Sequence, residues 1–414
     1  MLTGKGYKDR ILSDQEIREI CSAALEPVRS EKLLFIIPDH TRTAPMELLF
    51  REIYRVTAPV SAHVDFLIAL GTHPPMSEQM ILERVGITRD QWHGRYPKAR
   101  FFNHHWDDPS QLVSAGILSK DELSELSEGL LEREVNVTVN KMVLNYDRLI
   151  VAGPVFPHEV VGFSGGNKYL FPGIAGEEII HFFHWLGALI TNLEIIGKIN
   201  TPVRRVVDRA AHLLQKPVSC LAMVVRDGCL AGLFAGESGD AWLEAARLSE
   251  QLHIIYKDRP FDRVLSRAPR MYDDLWTGGK CMYKLEPVVA AGGEVIIYAP
   301  HISEISVTHG EKIMQIGYHV RDYFLNQWDR YKDFPGGIMA HSTHIKGAGT
   351  YVDGIEKPRI RVTLATSIPE PVCKKINLGY RDPRSIDPQE WMNREDEGIL
   401  YVPKAGEQLY RLKS

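Results

Sequence analysis

Short apolar runs alternate with stretches of helical periodicity, and this alternation constrains the fold more than any other feature of the sequence. Residues 32–39, 63–71 and 147–155 are typical of buried strands that end in loops, whereas 45–57 and 77–86 carry apolar residues at helical spacing. Strands that alternate with helices form largely parallel sheets, and ligands bind at the carboxyl ends of such strands. We therefore predict an α/β protein whose ligand site lies where the strands end.

The chain is too long for a single core, because domains usually contain about 100–200 residues. A helix at 201–215 precedes an expected β-hairpin that turns at Asp227-Gly228. The segment 278–301 is expected to form a helix stopped by Gly292-Gly293 and then a strand. We predict an N-terminal α/β domain over 1–265 and a C-terminal α/β domain over 266–414.

The composition is that of a globular protein, with 44% hydrophobic and 25% charged residues. A net charge of −4 does not favour binding to nucleic acid or to an anionic membrane. No apolar run approaches the roughly 20 residues that cross a bilayer, and the N-terminal sequence has no leader pattern. The five cysteines are scattered and lack CxxC spacing, so we expect reduced thiols in a cytoplasmic protein.

The segment His158–His184 places a lysine beside a glycine-rich turn. Lys168 follows Ser164, Gly165 and Gly166 after one intervening residue. Backbone N–H groups of such a turn can bind a phosphate, although the GxxxxGK[ST] spacing is absent. A lysine amine with a lowered pKa could then bond covalently to a cofactor. The alternative, a glycine turn with a solvated lysine, is about equally compatible with the spacing.

Histidine pairs supply further candidates. His181 and His184 lie three residues apart, so they share one face of a predicted helix. Imidazole suits nickel, zinc or copper, but a buried core histidine is the simpler interpretation. His104 and His105 lie in the sequence NHHWDD, which could form a metal site, an acid–base site or a surface loop.

Two loops after predicted strands carry polar side chains. Asp39 and Arg42 could form a structural ion pair, or the arginine could grip the carboxylate of a substrate. The sequence Gly71-Thr72-His73 could be a plain turn or a loop that presents backbone donors to a ligand.

Taken together, these motifs resemble the nickel-dependent lactate racemase family. The resemblance rests on DHTR (39–42), GTHPPMS (71–77), NHH (103–105), HEVVGFSGGNK (158–168) and His184, and it runs in order from about residue 30 to 320. It implies two α/β domains with an active site in the interdomain cleft. It also implies a nickel-pincer nucleotide, which is a pyridinium mononucleotide with two thio groups and a nickel–carbon bond.

The resemblance implies a role for each matching residue. Lys168 would carry the cofactor through a thioamide, and His184 would be the protein ligand of nickel. His104 and His158 would act as acid and base, while Arg42 would orient the substrate. The other residues implied in cofactor binding are Asp39, Gly71, Thr72, His73, Ser164, Gly165 and Gly166.

The implied reaction inverts C2 of a 2-hydroxy acid. Hydride passes to the cofactor while one histidine removes the hydroxyl proton, and return to the other face requires a second base. Lys280 of Thr277-Gly278-Gly279-Lys280 would contact the substrate carboxylate or hydroxyl. This element carries threonine and glycine where relatives carry glutamine and a bulkier residue. We therefore predict a substrate larger or more polar than lactate, such as an aldonate, with possible contacts to His301, His309, His341 and His344.

Three other functions are compatible with the same residues. Lys168 could hold pyridoxal phosphate as a Schiff base. His104, His105, His181 and His184 could build a zinc or iron hydrolase or lyase. The protein could also be a non-catalytic cofactor carrier. The expected partners are a small 2-hydroxy acid, cofactor maturation proteins and a second copy of the chain in a homo-oligomer, with no nucleic acid or membrane.

Overall fold

The computed structural model describes residues 2–413. Its strands are β1 Thr3–Gly6, β2 Leu33–Pro38, β3 Val64–Ala69, β4 Ala99–Asn103, β5 Leu112–Leu118, β6 Val135–Asn140, β7 Arg148–Pro154, β8 Pro157–His158, β9 Gly162–Phe163, β10 Val218–Arg226, β11 Cys229–Glu237, β12 Ile254–Lys257, β13 Phe261–Arg267, β14 Val289–Ala299, β15 Gly349–Val352, β16 Ile355–Pro358, β17 Arg361–Thr366, β18 Gly379–Tyr380, β19 Ile399–Val402 and β20 Leu409–Leu412.

The α-helices are mostly short. They are α1 Asp14–Leu25, α2 Met46–Thr57, α3 Glu78–Val85, α4 Arg89–Gly94, α5 Lys120–Leu126, α6 Glu177–Ile190, α7 Asn192–Ile195, α8 Pro202–Leu213, α9 Ser238–His253, α10 Leu275–Gly278, α11 Lys280–Tyr283, α12 Gly310–Ile316, α13 Arg321–Leu325, α14 Trp328–Tyr331, α15 Gly336–Lys346 and α16 Glu370–Lys375. Among residues 2–413, every helix is too short or too polar to span a bilayer.

The chain divides into two compact units. Unit 1 comprises Met1–Phe156, Phe163–Ile180 and Arg204–Leu252, and unit 2 comprises Pro157–Gly162, His181–Val203 and His253–Ser414. This division differs from a single boundary at 265/266. It assigns residues 253–265 to unit 2, because β13 pairs with β14 and β19 there. It also assigns two short segments of the predicted N-terminal domain to unit 2.

Unit 1 is built on a seven-stranded sheet in the order β1-β11-β10-β7-β2-β3-β4. The five strands from β10 to β4 are parallel to one another, and β11 pairs antiparallel with both β10 and β1 at one edge. Helices α1, α2 and α3 bury apolar faces in the main core, where the ring of Phe50 lies 5.4 Å from that of Phe66. Such burial contributes about 1.5–3 kcal/mol per large side chain.

Unit 2 is built on a five-stranded sheet in the order β18-β17-β14-β13-β19, and each neighbouring pair in it is parallel. The central parts of β13, β14 and β17 are buried in consecutive residues, as expected for a sheet covered on both faces. Leu265, Ile296 and Ala365 are buried from three adjacent strands and pack with Trp391. The predicted fold class, two α/β units with largely parallel sheets, is confirmed.

The predicted hairpin is also present, whereas one predicted helix is wrong. Strands β10 and β11 are joined at Asp227-Gly228, where both residues have positive φ, as a tight hairpin turn requires. The helix expected before Gly292-Gly293 ends at Tyr283, and β14 runs through the glycine pair. Gly292 has φ +77° and its N–H bonds to the carbonyl of Arg359, so the pair forms an irregularity inside a strand.

Candidate functional site

The predicted site residues are distributed over both units. Unit 1 contains Asp39, Arg42, Gly71, Thr72, His73, His104, Ser164, Gly165, Gly166 and Lys168, and unit 2 contains His158, His184 and Lys280. Each group is described within its own unit below.

Asp39 is at the centre of the unit 1 cluster, directly after β2. Its Oδ1 accepts hydrogen bonds from the N–H (3.1 Å) and hydroxyl (2.7 Å) of Thr41, and its Oδ2 lies 2.5 Å from Nδ1 of His73. Arg42 donates from Nη1 to Thr41 Oγ1 at 2.9 Å. The structure therefore brings together two loops, after β2 and after β3, that the sequence placed at the carboxyl ends of neighbouring strands.

The carboxylate of Asp39 is buried but ionised. Burial alone would raise its pKa, yet His73, Arg42 and Thr41 together hold the pKa well below its usual range. The result is a fixed negative charge with a guanidinium beside it. Such a pair can orient a polar ligand without taking part in proton transfer near neutral pH.

A second arginine lies in this cluster and was missed by sequence reasoning. Arg84, in the last turn of α3, is half-buried and donates to the carbonyls of Pro38 and Ala44. Burial lowers its pKa to about 10, while the charge of Asp39 acts in the opposite direction. Its Nη2 lacks a hydrogen-bond partner within residues 2–413. An arginine at the end of an amphipathic helix usually faces solvent, so the sequence offered no signal for this position.

The glycine-rich turn has the geometry that only glycine allows. Gly165 and Gly166 have φ values of +87° and +58°. A Cβ at Gly165 would lie 2.5 Å from Val155 Cγ2, and one at Gly166 would lie 2.9 Å from Trp242 Cβ. Lys168 follows in a 3-10 turn, Gly166–Tyr169, and is half-buried. The two glycines therefore set the position of Lys168 through steric necessity.

Several backbone N–H groups of this turn already donate hydrogen bonds to other groups of unit 1. The N–H of Ser164 donates to the carbonyl of Phe156 at 2.8 Å, and the N–H of Lys168 donates to Gly165 at 3.3 Å. Burial raises the pKa of the Cys220 thiol to about 12, although the hydrogen bond from the N–H of Gly166 acts in the opposite direction. A phosphate cradle formed by the whole turn, as the sequence suggested, would have to compete with these bonds.

Two side chains remote in sequence hold the turn in place. Arg204 is 3% exposed and donates to the carbonyls of Phe163 and Gly165, and its guanidinium lies 4.0 Å from the ring of Trp242. Trp242 in turn donates from Nε1 to the carbonyl of Ser164 at 2.8 Å. Both residues were missed by sequence reasoning, because nothing local links them to the glycine motif.

Replacing Arg204 by lysine is expected to lower the free energy of unfolding of unit 1 by about 2–3 kcal/mol. The compact ammonium group of lysine cannot donate to both buried carbonyls while it also stacks on the indole ring of Trp242. The shift in the urea midpoint measures this loss. Arg205→Lys is the matched control, since Arg205 is more exposed and pairs with Glu128. Equal midpoint shifts for the two variants would contradict this role of Arg204.

His104 is more enclosed than an acid–base residue is expected to be. It is 1% exposed, its Nε2 lies 2.8 Å from the carbonyl of Ala175, and its Nδ1 lies 3.3 Å from Nδ2 of Asn140. A carbonyl requires N–H at Nε2, and the amide donor requires a lone pair at Nδ1, so both contacts fix the neutral tautomer. Burial lowers the pKa of His104 to about 4.

In unit 2, the Nδ1 atom of His158 has two polar neighbours. It accepts the N–H of Val160 at 3.1 Å and lies 3.4 Å from Oε2 of Glu159. Burial alone would raise the pKa of Glu159, but His158, Lys284, Lys280 and His344 hold it well below its usual range. The sequence predicted His158 and Lys280, but it gave no reason to include the glutamate.

The two histidines of α6 differ in their surroundings. Nδ1 of His181 accepts the N–H of Gly337 at 3.3 Å, so this imidazole holds the start of α15. His184 lies one turn later on the same helix and is half-buried. Within residues 2–413, no three His, Cys, Asp or Glu side chains converge as a metal site.

The Thr277-Gly278-Gly279 element leaves no empty space. Thr277 donates its hydroxyl to Asp274, which caps α10. A Cβ at Gly278 would lie 3.0 Å from Ile302, and a Cβ at Gly279 would lie 2.8 Å from Ile345. The volume left by the two glycines is filled by isoleucines, so the predicted extra room for substrate does not arise from them.

The four histidines suggested for additional hydroxyl contacts have different environments. His301 is exposed, whereas His309 and His341 pack against Trp276, with ring centroids 4.5 and 4.0 Å from it. His344 is buried, and its Nε2 lacks a hydrogen-bond partner within the described chain. Burial lowers the pKa values of His341 to about 3 and of His344 to about 4.

Known proteins resemble this chain in both sequence and fold. Residues 15–194 match the family model described as the lactate racemase N-terminal domain. The lactate racemase of Thermoanaerobacterium thermosaccharolyticum is 25% identical over 276 residues, which cover 65% of this chain and 60% of that protein. The lactate racemase of Lactiplantibacillus plantarum is 27% identical over 187 residues, covering 42% of this chain and 39% of that protein.

Two solved structures extend the likeness over nearly the whole chain. A Thermotoga maritima protein, solved by the Northeast Structural Genomics Consortium, is 33% identical with a TM-score of 0.91, covering 98% of this chain and 100% of that one. The lactate racemase apoprotein of T. thermosaccharolyticum has a TM-score of 0.70 at 18% identity, with 99% and 100% coverage, and shows a shared fold. The N-terminal part of the chain is thus similar in sequence to lactate racemases, and the chain shares the fold of the lactate racemase apoprotein.

Proposed function

We propose that this protein is a racemase or epimerase that inverts C2 of a 2-hydroxy acid with a nickel-pincer nucleotide. The observation that carries the proposal is the match of residues 15–194 to the lactate racemase N-terminal domain, a region that includes Lys168 and His184. Lys168 would carry the nucleotide covalently, and His184 would ligate its nickel. Asp39, Gly71, Thr72, His73, Ser164, Gly165 and Gly166 would contact the nucleotide.

The described residues fit such a cofactor. A metal that receives most of its donors from an organic ligand needs only one imidazole, which agrees with the absence of a three-residue metal cluster among residues 2–413. Asn167, immediately before Lys168, is buried and its Oδ1 lacks a hydrogen-bond partner within the described chain. That oxygen could accept a hydrogen bond from a hydroxyl of a bound nucleotide.

The protein's own residues would bind the substrate and move its protons. Arg42 and Lys280 supply cations that can anchor a carboxylate. When bound, the nucleotide would supply an acceptor for the hydrogen on C2. His158 would exchange the hydroxyl proton, and the second acid–base residue of the proposal is His104. His104 could take this role only after it gives up its hydrogen bond to Ala175 or Asn140.

We infer the substrate class from the charged side chains that would bind the substrate, and not from the volume of a cavity. A carboxylate and an adjacent hydroxyl are the features that a guanidinium, an ammonium and an imidazole recognise. We retain a larger, polar 2-hydroxy acid such as an aldonate as the proposed substrate, although the glycines of the Thr277–Gly279 element add no space. A chiral assay over lactate, malate and gluconate decides between these sizes.

Replacing His184 by alanine is expected to remove nickel and racemisation from protein that has been matured with the cofactor-loading proteins. The added mass on Lys168 should persist, because that bond does not depend on the metal ligand. His181→Ala is the matched control on the same helix and should keep its nickel. Activity with zinc alone and an unmodified Lys168 would instead support a lyase or hydrolase, and a visible aldimine band would support pyridoxal phosphate.

A further inference from the structure

The imidazole of His158 has a donor and an acceptor at the same ring nitrogen. The N–H of Val160 donates to Nδ1 at 3.1 Å, whereas Oε2 of Glu159 lies 3.4 Å from Nδ1 and is a buried oxygen without a hydrogen-bond partner in the described chain. The nitrogen has a single in-plane site, which holds either a lone pair or a proton. The two contacts therefore belong to two different protonation states of His158.

These states differ in what the opposite nitrogen can do. When Nδ1 accepts from Val160, a neutral ring must carry its proton on Nε2, which then has no lone pair and cannot act as a base. When Nδ1 carries the proton and donates to Glu159, Nε2 is a base in the neutral ring and an acid in the imidazolium. Proton transfer at Nε2 therefore requires that Nδ1 stays protonated in both the neutral ring and the imidazolium, and that a neighbouring group accepts the hydrogen bond from Nδ1–H.

We propose that Glu159 is a positioning residue that keeps a proton on Nδ1 of His158 and so makes Nε2 the atom that exchanges a proton with the substrate hydroxyl. The inference rests on the proposed function for its catalytic meaning, but the tautomer itself is a property of the unloaded protein. In the forward step, the substrate O–H bond breaks and an Nε2–H bond forms, while Glu159 stays ionised and gains no proton.

The surroundings of Glu159 support a permanent charge at this position. The carboxylate is buried, and the charged or titratable groups that act on it are His158, Lys280, Lys284 and His344. Lys280 is itself buried, with its ammonium 4.7 Å from the ring centre of Tyr272, and Lys284 donates to the carbonyl of Glu407. Cations fixed by such contacts keep the carboxylate ionised and hence able to accept the Nδ1 proton.

The test is the ¹⁵N spectrum of histidine-labelled protein without cofactor at pH 7, in which His158→Gln assigns the two ring nitrogens. We expect a protonated Nδ1 in the parent protein. In Glu159→Gln, which preserves shape but removes the charge, we expect the proton on Nε2 and the Val160 bond at Nδ1. Glu356→Gln is the matched control, because Glu356 pairs with Nδ1 of His319 at 3.0 Å in the same unit. It should change the His319 signals and leave those of His158 unaltered.

In matured protein, Glu159→Gln should lower kcat by about 10²- to 10⁴-fold with a much smaller change in KM. Glu159→Asp should restore part of kcat and part of the Nδ1 proton signal. If the parent protein already carries the His158 proton on Nε2, or if Glu159→Gln leaves the tautomer unchanged, the inference is wrong even where the variant is poorly stable. A shifted tautomer in a protein that never racemises a 2-hydroxy acid would refute the proposed function and leave the role of Glu159 intact.

Discussion

Replacing Lys168 by arginine is expected to abolish both racemisation and the covalent mass that maturation adds to the protein. Arginine keeps the positive charge and the length of the side chain, but its guanidinium stays protonated and cannot serve as the amine of a thioamide. Enzymes commonly accelerate reactions by about 10⁶-fold or more, so loss of the reacting group should lower the rate by at least about 10⁴-fold. Intact mass and a chiral assay measure the two effects together.

The structure indicates that this variant should fold. The turn that carries Lys168 is fixed by the backbone conformations of Gly165 and Gly166 and by hydrogen bonds from Arg204 and Trp242. The urea midpoint should therefore stay close to that of the parent protein. Lys198→Arg, at an exposed lysine that pairs with Glu194, is the matched control and should keep the adduct and the activity. Racemisation by Lys168→Arg at the parent rate would remove the basis of the proposed function.

The elements that sequence predicted well are those determined by local patterns. β2, β3 and β7 lie within the predicted apolar runs, since a buried parallel strand needs consecutive apolar residues. The hairpin turn at Asp227-Gly228 was predictable because only a few residue pairs accept positive φ. The loops of Asp39 and His73 were predicted to follow strands, where ligands bind in parallel sheets, but the contact between them depends on the strand order that the structure shows.

Local patterns could not show the features that distant contacts decide. Gly292-Gly293 lies within β14 because its backbone bonds to Arg359, which is 67 residues away from Gly292. Segments 157–162 and 181–203 belong to unit 2 although they lie inside the predicted N-terminal domain. The sequence offered no reason to include Glu159, because the lysines that act on its carboxylate come from remote parts of the chain.

His104 illustrates a limit of motif matching. The sequence shows a histidine after a strand, in the order expected from the family, but it does not show what its nitrogens contact. In the structure, Ala175 and Asn140 engage both nitrogens, and these residues come from segments that follow His104 by 71 and 36 positions. The sequence shows that a histidine occupies the position expected for an acid–base residue. Only the structure shows whether its nitrogens are available for proton transfer.

The buried histidines lead to a second large prediction: the free energy of unfolding should fall steeply between about pH 6.5 and pH 4. Burial lowers the pKa values of His104 and His344 to about 4 and that of His341 to about 3. An unfolded histidine takes up its proton near pH 6.5. Between these values the unfolded state binds more protons than the folded state, so acid favours unfolding. Each histidine should contribute about 3 kcal/mol to this loss, at about 1.4 kcal/mol per unit of pKa shift.

Urea unfolding at pH 7, 6, 5 and 4.5 measures the effect, and His104→Gln separates the contribution of one residue. Glutamine can still donate to Ala175 but does not titrate, so the variant should be less stable at pH 7 and lose less stability on acidification. His105→Gln, at the half-buried neighbouring position, should keep the parent slope. Protonation of the buried Asp39 carboxylate does not contribute to the loss of stability in this pH range, because its lowered pKa affects the free energy of unfolding only below about pH 4. A parent midpoint that is constant from pH 7 to pH 4.5 would show that these imidazoles are hydrated or charged in the folded protein, which would restore His104 as an accessible acid–base group.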